Sequence, residues 1–243
     1  MKPTDRALSI FEAFETACRP LTLSELARAC GMPVSTSHGV AQVLIERGYL
    51  YVAGRRKDLY PTRRLVDMAL KVAAHDPFLE RLEPQLLALR EATQETVIIG
   101  KRQGDQIVYL AVYESPQTIR YSAPAGALKP LHSTSIGKAM LGELDADSLQ
   151  AWLAQAPMPA ITGQTLTSAS ALIEDLAESR QRGYFLTRGE SVSDVFAAAM
   201  PVRVQNEVLG IAVAGPRYRM ESTLEGIVAF MRTAIDNIEN KTP

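Results

Sequence analysis

Four short polar side chains follow a proline at the start of a segment with helical apolar periodicity, and their types suit hydrogen bonding to base edges. After Pro33 and Val34 come Ser35, Thr36, Ser37 and His38. Proline favours the first helical position. Helix-turn-helix proteins place the first residues of their second helix against bases in the major groove. The segment therefore predicts a helix that reads DNA.

Three consecutive cations lie a short distance further along the chain. Arg55, Arg56 and Lys57 occupy the turn between two predicted strands, 49–52 and 59–61. Cations at the tip of such a hairpin can lie along phosphates. Taken alone they fit a solvated turn better, because loops are often charged. Behind a recognition helix, a DNA-contacting wing is the better interpretation.

The elements that position these residues can be predicted locally. Leu21 to Val43 divides into two helices joined by a tight Gly-Met-Pro turn. Thr22 and Glu25 form the T-x-x-E pattern of a capping box, and Gly31 suits the left-handed end of that helix. The predicted inner faces are listed here: Leu23, Leu26, Ala27 and Cys30 on the first helix, and Val40, Val43 and Leu44 on the second.

A second group of residues suits an anion. Ser133-Thr134-Ser135-Ile136-Gly137-Lys138 stands just before an apolar helix. Free N–H groups at a helix start, with the helix dipole and nearby hydroxyls, favour a carboxylate. Plain N-capping by serine or threonine is the alternative for this pattern taken alone.

Little in the sequence indicates an enzyme, and no catalytic residue, metal site or cofactor is predicted. Gly137-Lys138 is followed by alanine and has no glycine five residues before Gly137, so it is not a phosphate-binding loop. His132 adjoins Ser133, but no acidic partner or nucleophile elbow is evident. The three histidines are scattered along the chain.

Composition indicates an ordinary globular protein of 243 residues, 47% hydrophobic, with a net charge of −1. Residues 1–75 hold 11 Lys+Arg against 7 Asp+Glu, whereas the remainder holds 15 against 20, which suits a small DNA reader on an acidic body. No apolar run reaches the roughly 20 residues of a membrane span, and the N-terminus lacks a signal-peptide core. We therefore expect a cytoplasmic protein whose Cys18 and Cys30 are buried core thiols.

The other predicted elements complete an N-terminal helical unit and a linker. A first helix is expected from about Thr4 to Ala17, with Leu8, Phe11 and Phe14 on one face. Gly48 should end the third helix. From Arg63 to about Gln94 the pattern is helical, with breaks at Asp76-Pro77 and a kink or interruption at Pro84. Its apolar stripe is formed by Leu65, Met68, Ala69 and Val72, which dimerisation would bury.

The C-terminal part mixes strands and helices. Expected strands are the hairpin TVIIG and IVYLAV, a short strand Ile119–Tyr121, and the segments 184–187, 196–204 and 208–214, the last two joined near Gln205-Asn206. Expected helices span 135–141, 148–153, 170–182 (stopped by Gly183) and 224–238. Hairpins with helices between them indicate an α+β domain.

Over nearly its full length the chain resembles the IclR family of bacterial transcriptional regulators. The blocks that carry the resemblance are RALSIFEAF, LTLSELARACGMPVSTSHGVAQVLIERGYL, PAGALKPLHSTSIGKAML, RGYFLTRGE and FAAAMPVRVQNEVLGIAVAGPRYR. The resemblance implies a winged helix-turn-helix domain (1–64), a helical linker (65–94) and a GAF-like effector-binding domain (95–243). It also implies a dimer or tetramer that binds double-stranded DNA at an inverted repeat and controls a catabolic operon in response to a small metabolite.

The resemblance, together with the residue chemistry, supplies the candidate sites. For DNA they are Thr22, Ser35, Thr36, Ser37, His38, Gln42, Arg55, Arg56 and Lys57. For an effector, expected to be a carboxylate, they are Ile119, Tyr121, Ser133, Thr134, Ser135, Ile136, Thr187, Val195, Ala197, Ala212 and Ala214. The small alanines would leave room for a ligand, or would equally serve tight packing.

One departure from the family pattern concerns the recognition helix. Val34 and Gly39 stand where family members commonly carry a basic residue and an arginine. Glycine inside a helix costs roughly 1 kcal/mol relative to alanine, or it lets the backbone approach the duplex closely. A metabolite-binding sensor or enzyme with a vestigial helix-turn-helix is therefore the alternative function.

Overall fold

The computed structural model describes residues 2–73 and 79–240. They belong to two compact units, residues 1–76 and 77–243. The segment predicted as a linker, 65–94, is divided between the units. None of the described helices is long and apolar enough to cross a membrane.

The first unit is a three-helix bundle with a two-stranded antiparallel hairpin. Its elements are α1 (Pro3–Ala17), α2 (Leu23–Ala29), α3 (Val34–Glu46), β1 (Leu50–Ala53), β2 (Asp58–Pro61) and α4 (Arg64–Ala73). Leu21 adds a bridge to the hairpin, since its backbone exchanges hydrogen bonds of 3.1 and 2.7 Å with Leu59. Helices α1–α3 and this hairpin form a winged helix-turn-helix.

The predicted capping box is confirmed. The Thr22 hydroxyl accepts from the Glu25 amide (3.3 Å), and the Glu25 carboxylate accepts from the Thr22 amide (2.8 Å). The hydrogen bond from the Thr22 backbone is the main reason why the pKa of Glu25 falls to about 2. Gly31 (φ 61°) and Gly48 (φ 75°) lie in the left-handed region, where glycine has no steric penalty. They end α2 and α3 as expected.

The core of this unit corrects four predictions. Ser37 is fully buried, so the inward face of α3 is formed by Ser37, Ala41 and Leu44, whereas Val43 is 50% exposed. On α1 the buried residues are Ile10, Ala13 and Phe14, whereas Leu8 is exposed. Cys18 is exposed at the end of α1, and Cys30 is half-buried. On α1 and α3 the helix is rotated relative to the predicted face, because a one-residue shift moves a side chain by about 100°. The two cysteines are C-cap residues at the ends of α1 and α2, where the side chain is less covered.

The predicted linker is helical on both sides of the undescribed residues. Helix α4 has no buried residue, and Val66, Met68, Leu70 and Val72 are all exposed. In the second unit α5 (Leu79–Thr93) continues through Pro84, so the helix is not interrupted there, and the alternative of a kink at Pro84 stays a prediction. The predicted break at Asp76-Pro77 lies outside the described residues.

The second unit contains a six-stranded antiparallel sheet. Its further elements are β3 (Thr96–Gln103), β4 (Gln106–Tyr113), β5 (Leu128–Pro130), α6 (Ser135–Gly142), α7 (Ala146–Leu153), α8 (Ala169–Arg182), β6 (Phe185–Arg188), β7 (Val195–Val204), β8 (Glu207–Pro216) and α9 (Arg217–Glu239). The strand order is β5-β4-β3-β8-β7-β6. The expected α+β class is confirmed.

Helices cover both faces of this sheet. Alternate residues of β3, β7 and β8, such as Val97, Ala198 and Val213, pack with α5 and α9. The opposite set, such as Ile98, Ala197 and Ala212, packs with α6, α7 and α8. Such alternation follows from the two-residue period of a strand.

Two boundaries differ from the sequence prediction. Ile119–Tyr121 is not a strand but part of an irregular segment between β4 and β5, so that expectation is wrong. Helix α9 starts at Arg217, directly after Pro216, which is seven residues earlier than expected. Its polar first turns hide the helical pattern, because they contain few apolar residues.

Candidate functional site

A groove in the first unit lies between α3, the start of α2 and the hairpin. It encloses about 830 Å³, including its open mouth. Its polar lining consists of Thr22, Ser24, His38, Gln42, Arg56 and Lys57. A groove of this kind, with a helix along one side and cations on the other, can contact both base edges and phosphates.

Five of the nine predicted DNA-contacting residues line this groove. His38, Gln42, Arg56 and Lys57 line the groove, and Arg55 is exposed at the hairpin tip. Ser35 is exposed and Thr36 is half-buried on the first turn of α3. Thr22 also lines the groove, although its hydroxyl serves the cap of α2.

Ser37 is wrongly placed by the sequence analysis. It is 0% exposed, and its hydroxyl has no hydrogen-bond partner among the described residues. It therefore belongs to the core. Sequence reasoning missed Ser24, an exposed residue beside the cap of α2; its only signal was its position two residues after the N-cap.

Val34 and Gly39, the two residues of α3 that depart from the family pattern, are exposed to solvent. A Cβ atom added at Gly39 would meet nothing within 4 Å, and Val34 is 50% exposed. Neither residue is required by packing inside this unit. This surface therefore has room for a close partner.

A cleft in the second unit lies on the sheet face covered by α6. Its floor is a row of small residues that are paired across three strands: Thr187 with Ala197, and Ala197 with Ala214. Ala212 and Ile98, a second pair, extend the floor. The cleft measures about 380 Å³, including its mouth. Alanines leave this space because they stop at Cβ.

The first turn of α6 forms one wall. The Thr134 hydroxyl caps the helix, accepting from the Gly137 amide (3.1 Å) and donating to the Pro130 carbonyl (2.9 Å). The first amides of a helix have no intrahelical partner. Ser135 (3% exposed) and Thr187 (5% exposed) line the same space. Neither of their hydroxyls hydrogen-bonds to another described residue.

Two tyrosines form the opposite wall. Tyr109 and Tyr121 line the cleft, and their phenols are close enough to influence each other's pKa. Burial is the main cause that raises the pKa of both. Both phenols are therefore neutral at physiological pH. None of the described residues lining the cleft carries a positive charge.

Most predicted effector residues meet in this cleft. Those present are Tyr121, Thr134, Ser135, Thr187, Val195, Ala197, Ala212 and Ala214. Sequence reasoning missed Ile98, Tyr109, Ser191 and Val192. Ile98 and Tyr109 alternate along β3 and β4 with residues of the other face, a signal that the strand pattern contained.

Three predicted effector residues lie outside the cleft, so we correct their placement. Ile119 is 65% exposed, because its segment does not join the sheet. Ser133, just before α6, and Ile136, on the sheet-facing side of α6, are buried. Ile136 packs over Gly100 and Gly210, and an added Cβ at Gly210 would clash with it at 2.5 Å.

A buried ionic cluster fixes the loop at the rim of the cleft. The Lys138 ammonium is fully buried and lies 2.7 Å from a Glu190 oxygen, 3.1 Å from an Asp175 oxygen and 3.1 Å from the Leu186 carbonyl. Burial is the main cause that raises the pKa of the Glu190 carboxyl, against the opposing effect of Lys138. Ser191 and Val192, which line the cleft, directly follow Glu190.

This geometry defines a binding protein with two separate surfaces. The cleft offers hydroxyls and helix amides to a small polar ligand, and the winged unit offers a groove suited to a duplex. The described residues contain no group of three or more His, Cys, Asp or Glu that could hold a metal ion.

Comparison with known protein families supports the assignment of both units. The model of the IclR helix-turn-helix domain matches residues 3–54, and that of the bacterial transcriptional regulator IclR C-terminal region matches residues 70–240. The chain is 32% identical over 222 residues to the HTH-type transcriptional regulator BhcR of Paracoccus denitrificans, covering 90% of this chain and 79% of that protein.

Solved structures share the fold. The crystal structure of IclR from Thermotoga maritima has a TM-score of 0.81 at 22% identity, covering 98% of each chain. An IclR homologue from Microbacterium hydrocarbonoxydans, complexed with 4-hydroxybenzoate, has a TM-score of 0.78 at 21% identity, covering 97% of this chain and 96% of that one.

The fold and the matches define a winged helix-turn-helix regulator with a C-terminal effector domain. The chain belongs to the IclR family of bacterial transcriptional regulators. It is a ligand-responsive, DNA-binding transcriptional regulator.

Proposed function

We propose that the protein binds an inverted-repeat operator through α3 and the β1–β2 wing. The exposed side chains of Ser35, His38 and Gln42 would face bases, while Arg55, Arg56 and Lys57 would contact phosphates. The groove that brings His38 and Lys57 together supports this assignment. Because Gly39 and Val34 supply no cation, the wing carries most of the electrostatic attraction.

Substitutions at two adjacent residues test which of them contacts DNA and which belongs to the core. These are Ser37→Ala and His38→Ala. We expect Ser37→Ala to leave DNA affinity unchanged and to stabilise the protein slightly or not at all, because it removes a buried hydroxyl without a partner. His38→Ala should weaken operator binding by about tenfold, within the 1–3 kcal/mol of a base contact. Fluorescence anisotropy with the upstream intergenic DNA measures both. Equal effects of the two changes would contradict the assignment.

The protein acts in this proposal as a homodimer, or as a tetramer of two dimers. An inverted repeat requires two recognition helices related by a two-fold axis. The apolar stripe of α4 supports self-association, since a second copy would cover it: Leu65 is half-buried, and Met68, Ala69 and Val72 are exposed. We place the protein in the cytoplasm, assign it no catalytic activity and expect it to control an adjacent catabolic operon.

The effector in this proposal is a small organic acid. The observation that carries it is the pair of hydroxyls of Ser135 and Thr187, which line the cleft beside the first turn of α6 and hydrogen-bond to no other described residue. A carboxylate would accept from these hydroxyls and from the helix amides, without needing a cationic side chain. The relative solved with 4-hydroxybenzoate, itself a carboxylate, supports the ligand class.

The regulatory response requires unequal binding to two states. An effector shifts DNA affinity only if it binds the DNA-competent and DNA-released conformations with different affinities. Isothermal titration with matched pairs, such as 4-hydroxybenzoate with 4-hydroxybenzamide and pyruvate with pyruvamide, tests the charge requirement. Tighter binding of the amides than of the matching acids would contradict the proposal that the effector is a carboxylate.

Ala214→Leu should abolish binding of every acid that the wild-type protein binds. Its larger side chain fills the floor of the cleft, where Ala214 pairs with Ala197. The variant should still bind the operator specifically in the absence of effector, because the proposed DNA-contacting residues lie in the other unit. Anisotropy and titration calorimetry on the same preparation separate these effects. Loss of folding would instead mean that Ala214 serves packing.

A further inference from the structure

The α5–β3 junction is hydrogen-bonded to one wall of the cleft. Glu95 and Thr96 follow α5 after one residue, Gln94, and both are buried. The Glu95 carboxylate receives two hydrogen bonds from the Arg219 guanidinium of α9, at 2.6 and 2.9 Å. An added Cβ at Gly215 would collide with this carboxylate, so the sheet leaves room for the ion pair.

Three hydrogen bonds attach residues 115–121 to this junction, and a fourth attaches them to Arg219. The Thr96 hydroxyl donates to the Tyr121 carbonyl (2.6 Å) and accepts from the Ser115 amide (3.1 Å). The Ser115 hydroxyl donates to the Gln94 carbonyl (2.7 Å). Arg219 donates to the Ile119 carbonyl (2.8 Å). The segment is thus joined to the end of α5 along its length.

The other rim of the cleft has different attachments. Its residues 189–194 are held by Lys138 of α6, by Thr162 and Thr165, and by the Arg217 amide of α9. Among the hydrogen bonds of the described residues, none joins this rim to α5. Within residues 79–240, the segment that carries Tyr121 is therefore hydrogen-bonded to the residues that follow α5, and the rim 189–194 is not.

We propose that Glu95, Thr96 and Arg219 form a latch, so that displacement of Tyr121 by an occupant of the cleft moves the C-terminal end of α5. These are positioning residues, because they act on Tyr121 and do not line the cleft themselves. The inference rests on the proposed effector cleft. Helix α5 is the first described element after residue 73, so its movement lies on the chain path towards the winged unit.

Hydrogen–deuterium exchange on the purified full chain tests the latch without an effector or DNA. Ala197→Leu fills the cleft from β7, two strands away from β3. In the wild-type background we expect it to speed amide exchange at least about threefold in residues 115–123 and also in 91–96. Combined with Thr96→Val and Arg219→Met, which together remove three of the four hydrogen bonds, the same filling should change amide exchange in residues 115–123 but leave that of residues 91–96 within experimental error.

Arg217→Met is the matched control, because Arg217 makes an exposed ion pair with Glu221 on the same helix. In the Arg217→Met background, Ala197→Leu should still speed amide exchange in residues 91–96. Thr96→Val alone provides the break if the combined variant fails to fold, and Arg219→Lys in place of Arg219→Met should restore part of the response. A response at 91–96 that is the same with and without the latch, or no response in the wild-type background, overturns the proposal. The carboxylate preference can fail independently.

Discussion

Lys138→Met is expected to cost about 3–5 kcal/mol of unfolding free energy, since it removes one partner of a buried charge pair. The ammonium is 0% exposed and has two carboxylates and a carbonyl within 3.1 Å. Without it, Glu190 and Asp175 are left with uncompensated charge. Denaturant unfolding at neutral pH measures the loss.

The pH dependence of this loss has a definite sign. Burial already raises the pKa of Glu190, and loss of Lys138 raises it further. The folded variant then binds more protons than the unfolded chain, so its stability rises as the pH falls towards the ordinary glutamate pKa of about 4.3. We expect a smaller deficit at acidic pH than at pH 8.

Two further variants separate charge from packing. Lys138→Met combined with Glu190→Gln should recover part of the stability, because an ion pair replaced on both sides is often tolerated. Lys101→Met, which breaks an exposed pair with Glu207, should cost less than about 1 kcal/mol. No recovery in the double variant would mean that the cluster acts through packing alone.

The winged unit was largely predictable because its signals are local. A capping box, a glycine at positive φ and a proline at a helix start each depend on a few neighbouring residues. What failed was helix rotation. Ser37 reads as a polar contact residue, yet its position four residues before Ala41 and seven before Leu44 places it on the buried face. The polar character of Ser37 suggested the solvent-exposed face of α3, whereas its helical spacing places it on the buried face.

The cleft was predictable only in part because it depends on tertiary packing. The resemblance supplied Ser135, Thr187 and the alanines, which do line it. The irregular path of residues 114–127 placed Tyr121 in the wall and Ile119 outside. That path is set by hydrogen bonds from Thr96 and Arg219, which are 25 and 100 residues distant from their partners in sequence. No local pattern reports such contacts.

Replacement of Arg55 and Arg56 by Gln and of Lys57 by Asn is expected to weaken operator binding roughly 10- to 100-fold at moderate salt. Asparagine suits position 57 because Lys57 has φ 55°. Each lost phosphate contact should also reduce the slope of log K against log salt by about 0.9. The wing is decisive here because Val34 and Gly39 leave α3 without cations at its start and middle.

The matched control neutralises Arg203, Arg217 and Arg232 to Gln, three exposed cations of the second unit. The net charge changes by the same amount, so a long-range effect of charge would appear in both proteins. We expect the control to keep the wild-type salt slope, measured by anisotropy between about 50 and 200 mM salt. If instead the wing variant keeps the wild-type slope, the cations do not contact phosphates. DNA recognition would then rest on α3 alone, where Gly39 allows a close approach of the backbone to the duplex.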